Sequence, residues 1–179
     1  MAATASLGSI AVRAVLRDYQ IMRLAIFVDP QLDPRGAGWN ILQSITAIGS
    51  GGLFGKGWLQ GTQSQLQYLP QQSTDFIFSI LAEEWGFLGG VFVLGLFLVV
   101  LLRGLSVVWG AREDYPLLAG TGVLVMLFFH VLVNVGMAMG IMPITGIPLM
   151  LLSYGGSSLW TALAATGILM NINRRRHRY

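Results

Sequence analysis

A charged, reachable carboxylate can take the proton from a hydroxyl nucleophile. Five of the eight acids in this 179-residue chain lie between residues 29 and 85: Asp29, Asp33, Asp75, Glu83 and Glu84. Asp75 stands apart, because Leu69-Pro70 ends one element and Ser73-Thr74 offers a helix N-cap just ahead of it. A helix starting there puts Phe76, Ile77, Ile80 and Leu81 on one face and Asp75, Ser79 and Ala82 on the other. Asp75 is therefore predicted in the first turn, beside a polar strip, where the helix's positive end favours a negative charge. The plainer reading is a first-turn aspartate that only stabilises its helix. Glu83 and Glu84 read as interfacial charges marking where an apolar run begins. Eight residues separate Asp75 from Glu83, roughly 12 Å along a helix, too far for a paired-carboxylate site on one helix.

Other polar groups could serve a substrate. Lys56 lies in Gly51-Gly52-Leu53-Phe54-Gly55-Lys56-Gly57; glycines let a backbone approach a ligand closely, and lysine adds a point charge suited to a diphosphate. The spacing is not that of a P-loop, and no Ser or Thr follows the lysine. A solvated loop lysine is the alternative, and Arg35 shares that ambiguity. Gln60, Gln63, Gln65 and Gln67 recur at near-alternate positions and suit sugar hydroxyls, or simply form a polar loop. His130 and Asn134 sit one helical turn apart inside an apolar run, with no further ligand at metal-site spacing. Interhelical hydrogen bonding is the simpler role for them.

The elements that must position these groups belong to a membrane. Apolar residues make up 54% of the chain and charged residues 11%, against roughly 25% charged in a soluble domain. Three runs are predicted to cross as helices: Gly86 to Trp109, Leu117 to Met142 and Pro148 to Ile172. Each reaches roughly 35 Å, enough for a hydrocarbon core of roughly 30 Å. Continuous apolar runs without two-residue alternation favour helices over a barrel. The Arg174-Arg175-Arg176-His177-Arg178 tail, with Arg103 and Arg112, predicts a cytoplasmic C-terminus. Residues 173–179 then form a basic cytoplasmic tail, and Asp75 faces the exterior.

The remainder divides into two parts. Residues 1–28, interrupted by Arg13, Arg17, Asp18 and Arg23, read as a partial span or interfacial amphipathic helix. The start does not read as a cleaved signal, and the lack of a strong leading span suggests a truncated chain. Residues 29–85, rich in Gly and Gln, read as a large external loop with short helices that must lean on the membrane helices. The chain is thus predicted to be all-α and polytopic. A net charge of +3 is too small to argue for nucleic acid, and the absence of cysteine excludes disulfides and thiolate metal sites.

The sharpest local pattern runs from Asn134-Val135-Gly136-Met137-Ala138-Met139-Gly140 through Pro143 and Pro148 to Leu151-Leu152-Ser153-Tyr154-Gly155-Gly156-Ser157-Ser158. Two prolines bracket a tight external turn, and the Gly-Ser run either packs closely or lines a polar cavity. This pattern resembles the signature of the SEDS family (shape, elongation, division and sporulation; the RodA/FtsW/SpoVE proteins). A second landmark is Leu69-Pro70-Gln71-Gln72-Ser73-Thr74-Asp75-Phe76-Ile77-Phe78, followed by Ala82-Glu83-Glu84-Trp85-Gly86. The Lys56 loop, Gly61-Thr62-Gln63-Ser64-Gln65-Leu66, and Asp18-Tyr19-Gln20 with Arg23 are similar to the RodA, or elongation, branch. Thr145 stands where division-type relatives often carry lysine, which favours the same branch. Similarity runs from about Asp18 to the end. Family members have about ten spans, so most of the earlier ones are absent here.

The resemblance implies a bacterial inner-membrane glycosyltransferase that joins lipid II units into peptidoglycan strands for cell elongation, alongside a class B penicillin-binding protein. Asp75 falls on the family's essential external aspartate, which implies a general base acting on the acceptor sugar's 4-hydroxyl. Lys56, Gln63, Gln65, Ser153 and Ser157 are candidate substrate contacts, with Lys56 against the departing diphosphate. No cofactor is implied firmly; a divalent cation, Mg or Mn, could share that task, though no ligand set is visible. The isolated chain is expected to be inactive. The competing readings are a transporter that flips lipid II, for which Asn134 and Ser157 would line a headgroup path, and a noncatalytic scaffold for a transpeptidase.

Overall fold

The computed structural model describes residues 18–65, 73–111 and 113–176, and all regular structure among them is helical. The helices are α1 (Asp18–Val28), α2 (Ala37–Ser50), α3 (Thr62–Gln65, a single turn), α4 (Ile77–Trp109), α5 (Asp114–Ala138) and α6 (Gly156–Arg176). Residues 1–17, 66–72, 112 and 177–179, which carry part of the expected partial span, Gln67, Leu69-Pro70, Arg112 and the end of the basic tail, lie outside the described residues.

Among the described residues two helices, α4 and α5, are long and apolar enough to cross a membrane. They pack on each other and on α6 around Val108, Leu124, Leu127, Met150, Ala162 and Leu169. Many of their outward side chains are exposed and apolar, among them Phe92, Leu98, Leu102 and Leu118.

Helix boundaries differ from expectation for local reasons. The run expected to cross from Pro148 to Ile172 is not one helix, because residues 148–155 form an irregular turn and α6 starts only at Gly156. Leu151 lies at φ 71, a left-handed value no helix interior accepts, and the Ser153 amide folds back to the Leu149 carbonyl at 2.8 Å. The second expected span ends at Ala138 rather than Met142. Gly140 takes φ 70, and the amides of Gly140 and Ile141 close onto the carbonyls of Met137 and Gly136 in a glycine C-cap.

α4 is two helical pieces meeting at Gly86 (φ 70, ψ −166), with the apolar stretch 87–109 beyond the break. Such a break frees backbone groups that must find partners. The glycine-rich loop 51–57 supplies them: Phe87 and Leu88 amides donate to the carbonyls of Gly52 and Leu53, while Lys56 and Gly57 amides donate to those of Glu83 and Glu84. A Cβ on Gly55 or Gly86 would collide with the opposing backbone. The close approach that these glycines permit here is to the helix break.

The 29–85 region leans on the long helices, as its composition demanded. α2 buries Ile41, Ser44 and Ala47. Its Ser44 hydroxyl hydrogen-bonds Ser79 Oγ and the Ala138 carbonyl, each at 2.6 Å. Asp29 and Asp33 are caps, accepting from the amides of Gln31 and Ala37.

Candidate active site

Asp75 does not occupy the first turn of a helix. Ser73–Phe76 form a turn, α4 begins at Ile77, and the expected polar strip is interior, with Ser79 and Ala82 both buried. What holds Asp75 is its main chain. Three consecutive carbonyls are each satisfied from far along the sequence: Ser73 by the Tyr154 amide (2.9 Å), Thr74 by Ser153 Oγ (2.6 Å) and Asp75 by Asn134 Nδ2 (2.8 Å). Asn134 also donates to the Ile147 carbonyl at 2.8 Å, and Ser153 Oγ accepts the Leu149 amide at 2.8 Å. The adjacent Phe76 side chain is buried against Met137 and Ile144. The turn is thereby sewn to the end of α5 and to the 144–154 loop.

The side chain of Asp75 is only partly buried, and among the described residues its carboxylate takes no hydrogen bond and no ion pair. One oxygen lies against Gly146, where a Cβ would come to 3.3 Å of Oδ2. Gly146 itself sits at φ 71, so glycine meets both a backbone and a space requirement there. A held main chain with unspent acceptor oxygens is the arrangement a general base needs.

Glu83 is its opposite. It is fully buried, and Oε1 receives Lys56 Nζ (2.8 Å), Thr62 Oγ1 (3.1 Å) and the Gln63 amide (3.1 Å). Glu83 lies before the Gly86 break, outside the apolar stretch. Burial alone would raise its pKa, but the bonds from Lys56, Gln63 and Thr62 outweigh this and hold it below the ordinary glutamate value. An interfacial marker was expected; a buried ion pair is found, because the 51–65 loop folds over this part of α4.

The candidate substrate contacts therefore scatter. Lys56 pairs with Glu83 and Thr62. Gln63 and Gln65 lie on α3; Gln63 Oε1 is buried without a partner among the described residues, and Gln65 Nε2 donates to the Leu59 carbonyl. Ser153 touches the Asp75 turn through its backbone, while Ser157 is exposed on the first turn of α6. His130 Nδ1 contacts the Met126 carbonyl of its own helix. Arg23, read in the sequence as a charge interrupting the first segment and as part of a resemblance, reaches from α1 to the carbonyls of Ile144 (3.1 Å) and Thr145 (3.4 Å). An apolar groove of about 350 Å³ between α4 and α5, lined by residues such as Leu94, Phe97 and Phe128, contains no charged side chain. Among the described residues no group of three or more His, Asp or Glu side chains is placed to hold a metal.

Long apolar helices with a backbone-clamped carboxylate built on the loops at one end define a helical membrane protein with a candidate site on those loops. The chain belongs to the FtsW/RodA/SpoVE family of cell cycle proteins, whose model matches residues 1–178. It is 64% identical over 162 residues to peptidoglycan glycosyltransferase RodA of Treponema pallidum, covering 90% of this chain and 37% of that protein. It is 48% identical over 162 residues to peptidoglycan glycosyltransferase MrdB of Escherichia coli K12, covering 90% and 44%. It also resembles a chain in a solved peptidoglycan synthase complex, described as coordinating polymerization and crosslinking. That match has a TM-score of 0.76 at 36% identity and covers 99% of this chain and 48% of that one. The chain thus spans about two fifths of the length of the curated relatives it matches.

Proposed function

We propose that this protein is a peptidoglycan glycosyltransferase of the inner membrane, polymerising lipid II for cell elongation, with Asp75 as general base. The observation that carries the reading is the unspent carboxylate of Asp75 on a turn clamped by Asn134, Ser153 and Tyr154. In the reaction the acceptor's 4-hydroxyl donates to Asp75, and its oxygen attacks the anomeric carbon of the donor. The bond from that carbon to the diphosphate oxygen breaks, the proton stays on Asp75, and undecaprenyl diphosphate leaves with inversion at the sugar. A Mg or Mn ion would have to draw its donors chiefly from the diphosphate, since no ligand cluster stands ready among the described residues.

In this reading α4, α5 and α6 are three crossings, α6 ends in the cytoplasm at its arginines, and the Asp75 turn faces outward. A class B penicillin-binding protein is the partner that would crosslink the product, in keeping with the synthase complex that the chain resembles. The test is lipid II polymerisation by the full-length protein carrying Asp75→Asn or Asp75→Ala. Loss of polymer with intact folding and partner binding is expected, and would eliminate a scaffold. Unchanged polymer length and yield would eliminate the polymerase mechanism; lipid II translocation in vesicles without polymer would favour a transporter.

A further inference from the structure

We propose that Arg23 binds the diphosphate of the lipid-linked donor, on the far side of the reacting carbon from Asp75. The inference rests on the glycosyltransferase reading and adds the group that receives the leaving charge. Arg23 is anchored through one guanidinium nitrogen to the carbonyls of Ile144 and Thr145. The very next residue, Gly146, borders the Asp75 carboxylate. The guanidinium and the carboxylate therefore flank one short stretch of chain, about 10 Å apart or less by ordinary bond lengths, yet they do not pair. An in-line displacement needs the two close but unpaired, because the acceptor oxygen, the anomeric carbon and the departing oxygen must fit between base and cation.

Charge accounting points the same way. Lys56, the lysine that glycine-rich surroundings recommended, is neutralised by the buried Glu83 carboxylate. Arg23 is exposed, and among the described residues no carboxylate compensates it. Its two carbonyl bonds occupy one nitrogen and fix the side chain, leaving the planar fork that matches phosphate oxygens in two places at once. A cation already positioned before the bond breaks stabilises the developing charge without reorganising.

The test measures binding rather than turnover. Full-length protein carrying Asp75→Asn, in detergent, is titrated with undecaprenyl diphosphate and separately with undecaprenyl phosphate. The parent should prefer the diphosphate by about tenfold or more. Adding Arg23→Gln should erase that preference while leaving the monophosphate affinity nearly unchanged. Arg23→Lys, which keeps the charge and a donor for the loop carbonyls, should give an intermediate preference and serves if the Gln variant fails to fold. An arginine that merely ties α1 to the loop would weaken both lipids alike. A diphosphate preference that survives Arg23→Gln, that Arg23→Lys leaves undiminished, or that is absent in the parent overturns the assignment. Polymerisation by the Asp75 variants would instead overturn the reading on which it rests, and the two failures are read in separate assays.

Discussion

The Lys56–Glu83 pair gives two roles for one lysine, and a double-mutant cycle separates them. Glu83 is fully buried, and the Lys56 side chain is 26% exposed, with 2.8 Å between the charged atoms. Lys56→Met leaves the carboxylate buried without its counter-ion, a loss expected to cost about 3–5 kcal/mol. That corresponds to a fall in melting temperature of roughly 6–20 °C for a domain of this size. Glu83→Gln leaves a lysine that can still reach water and an amide that can still accept, so it should cost only about 1–2 kcal/mol. The double variant Lys56→Met/Glu83→Gln removes both charges and should return to within about 1–2 kcal/mol of the parent. Thermal unfolding in detergent measures the cycle, and lipid II polymerisation by the full-length protein measures its consequence. If the lysine serves only the fold, the double variant polymerises within about threefold of the parent once both are folded. A stable Lys56→Met protein that has lost polymerisation, with no rescue by Glu83→Gln, would refute this and place Lys56 on the substrate.

The same pair sets an acid limit. Glu83 has a folded pKa below its ordinary value, so its contribution is complete above that value and fades as pH falls through the folded one. Melting temperature should be insensitive to this group from about pH 5 upward and drop in stronger acid; Glu83→Gln should flatten the drop. Asn134→Leu strands the carbonyls of Asp75 and Ile147 and should cost about 2–4 kcal/mol, partly offset because Asn134 Oδ1 is already buried without a partner. Its polymerisation rate should fall with little change in lipid II affinity, checked as separate kcat and KM. Gly146→Ala forces a side chain into the left-handed region, costing about 1–2 kcal/mol, and sets a methyl against the Asp75 carboxylate. Its loss of polymerisation should exceed what its melting temperature explains.

Much of the site's chemistry was legible along the chain, and its architecture was not. Asp75 was singled out by a proline ahead of it, a cap motif and a family resemblance, although the helix starts two residues later than the cap predicted. Asn134 was marked by a polar side chain within an apolar run, yet its partners are backbone carbonyls 59 and 13 residues away. Lys56 and Glu83 lie 27 residues apart, and no periodicity connects them. The glycines of 51–57 announced a close approach without naming the surface approached.

Composition and apolar run length alone determined that this chain makes membrane-length helices, because lipid constrains every residue of a span in the same local way. Element type came from residues within one or two turns of each other, and the candidate base from its local motif together with the family that motif resembles. Tertiary structure decided which acid is spent and which is available. That choice depends on what a distant loop brings to each carboxylate: bonds from Lys56, Thr62 and the Gln63 amide on Glu83, and Gly146 beside an Asp75 carboxylate that accepts no hydrogen bond among the described residues.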